Sequence, residues 1–106
     1  MNIGIDLDGT ITARPEFFAR LTKALTAGGC RVFVITLRHR SNQAATEAEL
    51  HELGIVFHKV ICAHVGVDAP VWKSRWAKRV RLDAMFEDSP DNLNAMPNGV
   101  AKFLLK

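Results

Sequence analysis

Cysteine, tyrosine and long apolar runs are scarce or absent in this chain. Its 106 residues include two cysteines and no tyrosine. No run approaches the ~18 apolar residues that a membrane helix needs, so we expect no membrane partner. The N-terminus has no basic segment followed by an apolar stretch and a cleavage site, so it does not have the pattern of a signal peptide.

The two cysteines, Cys30 and Cys62, lie in or beside apolar runs. We interpret them as buried thiols of a protein in a reducing compartment, which favours a cytoplasmic location. A disulfide between them is the alternative. The four histidines show no tight metal-ligand spacing, so we expect each to be a surface or packing residue. They are His39, His51, His58 and His64.

The overall composition is that of an ordinary globular protein. Apolar residues make up 48% of the chain and charged residues 24%, which argues against disorder. The chain contains no internal repeat and no low-complexity linker. The length suits one hydrophobic core but not a large second lobe, so we expect a single domain over residues 1–106.

Positive charge is in modest excess, with a net charge of +3 and a pI of about 9.2. Much of the excess lies in residues 14–23, 38–40 and 73–81. We interpret these segments as solvated helix faces, and attraction to a phosphate-rich ligand is the alternative. Trp72 and Trp76 share a helix face, which predicts core packing, with base stacking as the alternative.

Apolar periodicity predicts alternating strands and helices. Strands are predicted over residues 2–7, 31–36, 55–61, 83–86 and 99–105. Helices are predicted over residues 15–27, 41–53, 69–81 and 91–95. Ser41 or Asn42 is the expected cap of the second helix, and Ser89, before Pro90, that of the fourth. The alternation predicts a three-layer α/β/α, Rossmann-like fold with a mainly parallel five-stranded sheet.

Polar side chains follow three of the predicted strands. The carboxyl ends of parallel strands meet at one edge of a sheet, and ligands bind there in such folds, so we expect these side chains to converge. They are Asp6 and Asp8 after the first strand, Thr36 and Arg38 at the end of the second, and Glu87 and Asp88 after the fourth.

The segment after the first strand, residues 6–10 (DLDGT), pairs two carboxylates one residue apart. Alternation along a strand lets Asp6 and Asp8 share a face, where their charges repel unless a cation lies between them. Mg²⁺ takes oxygen ligands and typically binds one or two carboxylates together with a substrate phosphate. Gly9 permits a sharp turn with backbone N–H groups open to an anion, and Thr10 adds a hydroxyl. The alternative is a strand that ends in a capped Asp-Gly turn.

Four segments together resemble the motifs of the haloacid dehalogenase superfamily. Residues 6–10 resemble its first motif, and Thr36, which ends an apolar strand, is similar to the second. Lys73 fits the third motif. Residues 86–92 (FEDSPDN) resemble the fourth, an acidic pair after a strand with a further acid nearby. The four segments cover the whole chain and occur in the order that the family shows.

The resemblance implies a Mg²⁺-dependent phosphatase. Asp6 would attack phosphorus and form an aspartyl-phosphate, while Asp8 would protonate the leaving oxygen and later deprotonate the attacking water. The second acid, Asp8, favours phosphate chemistry over carbon–halogen cleavage. Substrate phosphate would also meet the backbone around Gly9 and the hydroxyl of Thr10.

The resemblance also implies which other residues hold the phosphoryl group. Thr36 would hydrogen-bond a phosphoryl oxygen, and Lys73 would supply positive charge to the nucleophile and the phosphoryl group. Lys59 and Lys78 are the alternative lysines. Arg38 either contacts a substrate phosphate or faces water.

The metal ligands implied by the resemblance are the Asp6 carboxylate, the Asp8 backbone carbonyl and a carboxylate of the fourth motif. For that last position Asp88 ranks first, then Glu87 and then Asp91. The metal would offset repulsion between the nucleophile and an anionic phosphate.

Relatives of this kind often carry a cap domain over the site, but neither residues 8–36 nor residues 36–73 have room for one. We therefore expect an open site, unless another subunit of a homo-oligomer covers it. An open site suits a phosphate on a nucleotide or a macromolecule end. A small molecule enclosed by an oligomer is the alternative substrate.

Two other classes of protein compete with the enzyme. One is a non-catalytic domain that kept the fold to bind phosphate or Mg²⁺, or to regulate a partner. The other is a receiver-like phosphoacceptor, which uses acids, a threonine and a lysine on a similar sheet. The acceptor of a receiver ends the third strand, where residues 61–64 (ICAH) of this chain carry no carboxylate.

Overall fold

The computed structural model describes residues 1–106 and contains one parallel sheet of five strands between two layers of helices. The strands lie side by side in the order β3-β2-β1-β4-β5, and every neighbouring pair is parallel. The predicted three-layer α/β/α fold is therefore confirmed. The strands are β1 (Asn2–Ile5), β2 (Arg31–His39), β3 (Lys59–Ala63), β4 (Ala84–Glu87) and β5 (Ala101–Leu104). The helices are α1 (Pro15–Ala27), α2 (Gln43–Glu52), α3 (Ala69–Arg79) and α4 (Pro90–Asn94).

Apolar side chains bury both faces of the sheet, and the alternation along β2 divides them. Val32 and Val34 belong to a buried cluster shared with α1 and α2. Phe33 and Ile35 point the other way and belong to a second cluster shared with α3 and α4. Full burial of one such side chain contributes roughly 1.5–3 kcal/mol, so the two clusters fix the layers. The polar ends of the central strands are then left at one edge of the sheet.

Local chemistry sets where α3 and α4 begin. The Asp68 side chain accepts the N–H of Val71 at 3.3 Å and caps α3. The Ser89 hydroxyl accepts the N–H of Asn92 at 3.3 Å, and Pro90 opens α4, so the cap predicted there is confirmed. Each cap joins a strand end at the polar edge to a helix that returns across the sheet.

The start of α2 differs from the prediction. The side chain of Asn42 makes no capping bond, and Arg40–Asn42 forms a 3₁₀ turn before the helix. The ring of His39 accepts the N–H of Ser41 at 3.0 Å instead. The residue that caps this segment is therefore His39 at the end of β2, which precedes both expected caps, Ser41 and Asn42, in the sequence.

The bounds of two strands also differ from the prediction. β2 continues to His39 because its pairing with β3 contains a bulge between Thr36 and His39, so Thr36 lies within the strand. β3 begins at Lys59, four residues later than predicted, because the apolar residues 55–57 and His58 connect α2 to the sheet edge. Periodicity does not separate such a buried connection from a strand. All other elements end within two residues of their predicted bounds.

Both cysteines are free thiols, as expected, but each is only partly buried, so the expected burial is wrong. Cys62 lies on β3, which is an outer strand of the sheet, and the edge leaves it partly uncovered. No helix combines the length and the apolar composition that a membrane crossing requires.

Candidate active site

A small open cavity of about 150 Å³ lies at the carboxyl ends of the three central strands, β1, β2 and β4. It brings together residues from all four segments that resemble the family motifs. Its lining consists of Asp6, Asp8, Thr36, Leu37, Lys73, Glu87, Asp88, Ser89 and Asn92. Larger cavities exist elsewhere, but none of them contains a carboxylate cluster.

Asp6 follows β1, the central strand, and is almost wholly buried. Its N–H donates to the carbonyl of Phe86 at 2.9 Å, which ties it to β4. One carboxylate oxygen accepts a bond from Lys73 Nζ at 2.6 Å, and the other accepts the Thr10 hydroxyl at 3.0 Å. The side chain is thus held in one orientation.

Lys73 reaches the cavity from α3, and its side chain is only 2% exposed. Its ammonium lies 2.6 Å from Asp6 Oδ1 and 2.8 Å from Glu87 Oε2. The two alternative lysines, Lys59 and Lys78, are exposed and lie outside the cavity. Of the three lysines considered, Lys73 alone is positioned to act on Asp6.

Glu87 is 1% exposed and uses both of its carboxylate oxygens within the protein. Oε2 accepts the Lys73 ammonium, while Oε1 accepts the N–H groups of Asp88 and Ser89 at 3.1 and 3.3 Å. These bonds fix the lysine and the loop after β4 together. Glu87 therefore orients its neighbours, a role that its place in an acidic pair does not reveal.

Asp6, Glu87 and Asp88 form the one cluster in the protein suited to a metal ion. One oxygen from each carboxylate lies within 4.8 Å of the others, and Asp88 is the exposed member. Oxygen ligands in this arrangement suit a hard divalent cation. Asp91, the third-ranked ligand, lies on α4 outside the cluster.

Burial and mutual repulsion perturb these acids. Burial raises the pKa of Asp6 above its ordinary value, although the Lys73 ammonium opposes the shift. Burial also raises the pKa of Glu87 to about 7, again against the effect of Lys73 and with the Asp6 charge adding to it. At Asp88, partial burial raises the pKa, but hydrogen bonding with the carboxyl groups of Glu87 and Asp6 outweighs this and lowers it. Three carboxyl groups share one ammonium, which disfavours full ionisation of the cluster.

The turn after Asp6 depends on Gly9, whose φ is +83°. This φ is unfavourable for a residue with a side chain, and a Cβ here would also displace the Asp88 carboxylate, so glycine suits the turn beside the acidic cluster. The N–H of Gly9 donates to the Thr12 hydroxyl at 2.9 Å, so it is engaged within the loop rather than open to an anion. Thr10 is fully buried against Asp6, which makes it a positioning residue.

Thr36 lines the cavity from β2 and is 1% exposed. Its hydroxyl accepts the N–H of Arg38 at 3.1 Å across the bulge in the strand. The bulge inserts extra residues at the strand end and so re-aims the side chains that follow. Thr36 consequently stays at the cavity wall while Arg38 crosses to the loop after β1.

Arg38 forms a two-pronged ion pair with Asp8. Its Nε and one terminal nitrogen donate to the two carboxylate oxygens at 3.0 and 2.8 Å. The same terminal nitrogen donates to Glu49 of α2 at 3.1 Å. Hydrogen bonds to the two acids raise the pKa of Arg38 further. Arg38 therefore binds the side chain of Asp8, which is 59% exposed. Its second partner, Glu49, is not indicated by any sequence motif.

No protein-family model matches the chain, and no curated protein is detectably similar to it. The function is therefore argued from the geometry and the charges of the cavity itself.

Proposed function

We propose that this protein is a Mg²⁺-dependent phosphomonoester hydrolase of the haloacid dehalogenase type. The observation that carries the proposal is the setting of Asp6. Its carboxylate is buried, fixed by Lys73 and Thr10, and faces a cavity that also contains Asp8 and Thr36. A carboxylate anchored in this way suits nucleophilic attack better than a structural role, because it lines an open cavity rather than a closed core.

The acidic cluster fits Mg²⁺ by its donor set and its charge. Asp6 and Asp88 would hold the cation, with the backbone carbonyl of Asp8 as a further ligand, and Glu87 would keep Asp88 and Lys73 in place. Bound there, the cation would neutralise the site and polarise a phosphoryl oxygen. Asp88 remains the first choice in the fourth motif because it is the exposed member of the cluster, whereas Glu87 is 1% exposed and binds Lys73 and the backbone of residues 88 and 89.

The residues of the chain divide the reaction into two steps. An oxygen of Asp6 attacks phosphorus, and the ester P–O bond breaks as Asp8 donates a proton to the leaving oxygen. Water then attacks the aspartyl-phosphate as Asp8 takes its proton, which releases phosphate and restores Asp6. Thr36 and Lys73 stabilise the phosphoryl oxygens in both steps. Asp8 must first separate from Arg38, whose guanidinium can then bind a phosphoryl oxygen.

The size of the cavity suits a phosphoryl group with its leaving group outside. At about 150 Å³ it is open to solvent, and no domain is inserted between β1 and α1 or between β2 and α3 to cover it. A nucleotide or a macromolecule end is the substrate class that such a site favours. A homo-oligomer that covers the site stays a prediction.

The test is hydrolysis of p-nitrophenyl phosphate by the wild type and by Asp6→Asn, with Mg²⁺ and with EDTA. The matched control is Asp91→Asn, the same change at an acid outside the cluster. We expect Mg²⁺-dependent turnover that Asp6→Asn abolishes and Asp91→Asn retains. Denaturing mass spectrometry of samples quenched during turnover should detect one phosphoryl group on the wild type and on Asp91→Asn but none on Asp6→Asn.

Other outcomes would identify the competing classes. Mg²⁺ binding without turnover of any phosphate ester would indicate a non-catalytic binding domain. A phosphoryl group that persists on Asp6 for minutes would indicate a phosphoacceptor. Near-normal turnover by Asp6→Asn would contradict the mechanism itself.

A further inference from the structure

A groove lined by cations and aromatic rings runs along α3, outside the candidate active site. Two adjoining cavities of about 310 Å³ each share His64, Trp72 and Arg75. Trp76 and Arg79 extend the first cavity along the helix. We call these five residues the α3 groove.

The cations of the α3 groove have no acidic partners. All four ion pairs of the protein belong to Asp6, Asp8, Glu49 and Glu87, so neither Arg75 nor Arg79 is neutralised. The one acid in the lining, Asp68, already caps α3. An unpaired pair of guanidinium groups in a concave surface favours an anionic ligand.

The aromatic part of the groove is built around Trp76. The guanidinium of Arg79 lies 4.8 Å from the centroid of the Trp76 ring, and Lys59 Nζ lies 5.9 Å from it. Trp72 is buried beneath, in the core cluster of that face, whereas Trp76 is only partly buried. A planar guanidinium held on an indole ring presents a flat cationic layer on which a base can stack.

The topology connects the α3 groove to the active site. His39 at the end of β2 lies in register with Ala63 at the end of β3, so the turn after β2 adjoins His64. The exposed Arg40 is in that turn, and Arg38, two residues earlier, contacts Asp8. Basic residues therefore follow one edge of the sheet from the active site to the groove.

We propose that the α3 groove binds single-stranded nucleic acid. Backbone phosphates would pair with Arg75 and Arg79, and a base would stack on the Arg79–Trp76 layer. Single strands offer this combination of regularly spaced charge and flat rings, whereas an acidic peptide offers the charge alone. That the active site receives a terminal phosphate of the same strand is a further step, which rests on the proposed function.

The first experiment measures binding without catalysis. Fluorescence anisotropy of a labelled oligothymidylate without terminal phosphate is recorded with the wild type over a range of salt concentrations. The double variant Arg75→Ala/Arg79→Ala removes two phosphate contacts. It should bind more weakly and reduce the slope of log K against log salt by about 1.4, since each contact to a single strand contributes about 0.7.

The matched control is Arg20→Ala/Lys23→Ala, which removes two exposed, unpaired cations from α1. It should retain the wild-type salt slope. If both double variants lose the same amount of binding affinity, the proposal is overturned, because net charge alone would then explain the binding. Competition by polyglutamate as effective as that by oligothymidylate would also overturn it.

Trp76→Leu should weaken binding by about five-fold or more through loss of a base stack.

A second experiment separates this proposal from the phosphatase. The Arg75→Ala/Arg79→Ala variant should hydrolyse p-nitrophenyl phosphate like the wild type but show a raised KM for a terminally phosphorylated oligonucleotide. If the wild type binds oligothymidylate but hydrolyses neither substrate, the proposed function is refuted, whereas nucleic-acid binding by the α3 groove is still supported. If the double variant binds oligothymidylate as tightly as the wild type does, the proposed binding by the α3 groove is refuted, whatever the turnover of either substrate.

Discussion

Replacing Lys73 by methionine tests the central electrostatic feature of the protein. Methionine keeps a long unbranched side chain but removes the ammonium that lies between Asp6 and Glu87. Asp6 and Glu87 are 6% and 1% exposed, so water can replace the lost ammonium only in part. The variant therefore leaves two buried acids without a counter-charge.

The expected loss of stability is large for one side chain. Removal of one partner from a buried ion pair typically costs about 3–5 kcal/mol, because the remaining charge is left unpaired. Whole domains have free energies of unfolding of roughly 5–15 kcal/mol. At about 4 °C per kcal/mol for a chain of this size, the melting temperature should fall by about 12–20 °C.

The assay is urea unfolding at pH 7 in EDTA, with Lys78→Met as the matched control. Lys78 lies on the same helix, is exposed and makes no ion pair, so its loss should change stability by less than about 0.5 kcal/mol. The double variant Lys73→Met/Glu87→Gln should be more stable than the sum of the two single losses implies. A loss below about 1 kcal/mol in Lys73→Met would refute the reasoning, because it would mean that the acids are solvated or share a proton at little cost.

Three further predictions concern the cluster around Lys73. Mg²⁺ at about 100 times its Kd should raise the free energy of unfolding of the wild type by about 2.7 kcal/mol. Asp88→Asn should lose most of that increment in thermal melts. An unchanged increment would exclude Asp88 as a ligand. Gly9→Ala should cost more than Gly66→Ala in urea unfolding, because both have positive φ but only the first Cβ meets a neighbour, at 2.3 Å from Asp88. In EDTA, the free energy of unfolding of the wild type should fall as pH rises from about 4.5 to about 7, because the folded protein raises the pKa of Glu87 to about 7 and so favours its protonated form. Glu87→Gln should flatten that part of the pH profile. A slope identical to that of the wild type would contradict the assignment to Glu87.

The sequence predicts which residues meet in the cavity, because strand order decides this. Parallel strands align their carboxyl ends, so Asp6, Thr36 and Glu87 had to meet once the strands were recognised. Lys73 reaches the same cavity because α3 returns over the sheet between β3 and β4. These relations depend on topology, which alternating apolar segments encode strongly.

The partners of individual side chains depend on details that periodicity does not encode. The bulge after Thr36 directs Arg38 to Asp8, and no residue type near it indicates a bulge. Glu49 lies on a helix whose acids look like ordinary solvated residues, although it holds the guanidinium of Arg38. Glu87 lies in the cavity, but its sequence motif does not indicate that its two carboxylate oxygens bind Lys73 and the backbone N–H groups after β4.

The distribution of charge links the two proposals. A chain with a net charge of +3 places three carboxyl groups around one ammonium in its central cavity, so its positive excess lies elsewhere. Under the two proposals, a phosphate dianion would meet repulsion in that cavity until a cation neutralised it, whereas the unpaired arginines of the α3 groove would attract the same substrate from outside. The two proposals thus assign substrate attraction to the α3 groove and the chemical steps to the central cavity. This separation suits a substrate long enough to touch both, because a free phosphate ester would gain nothing from the groove.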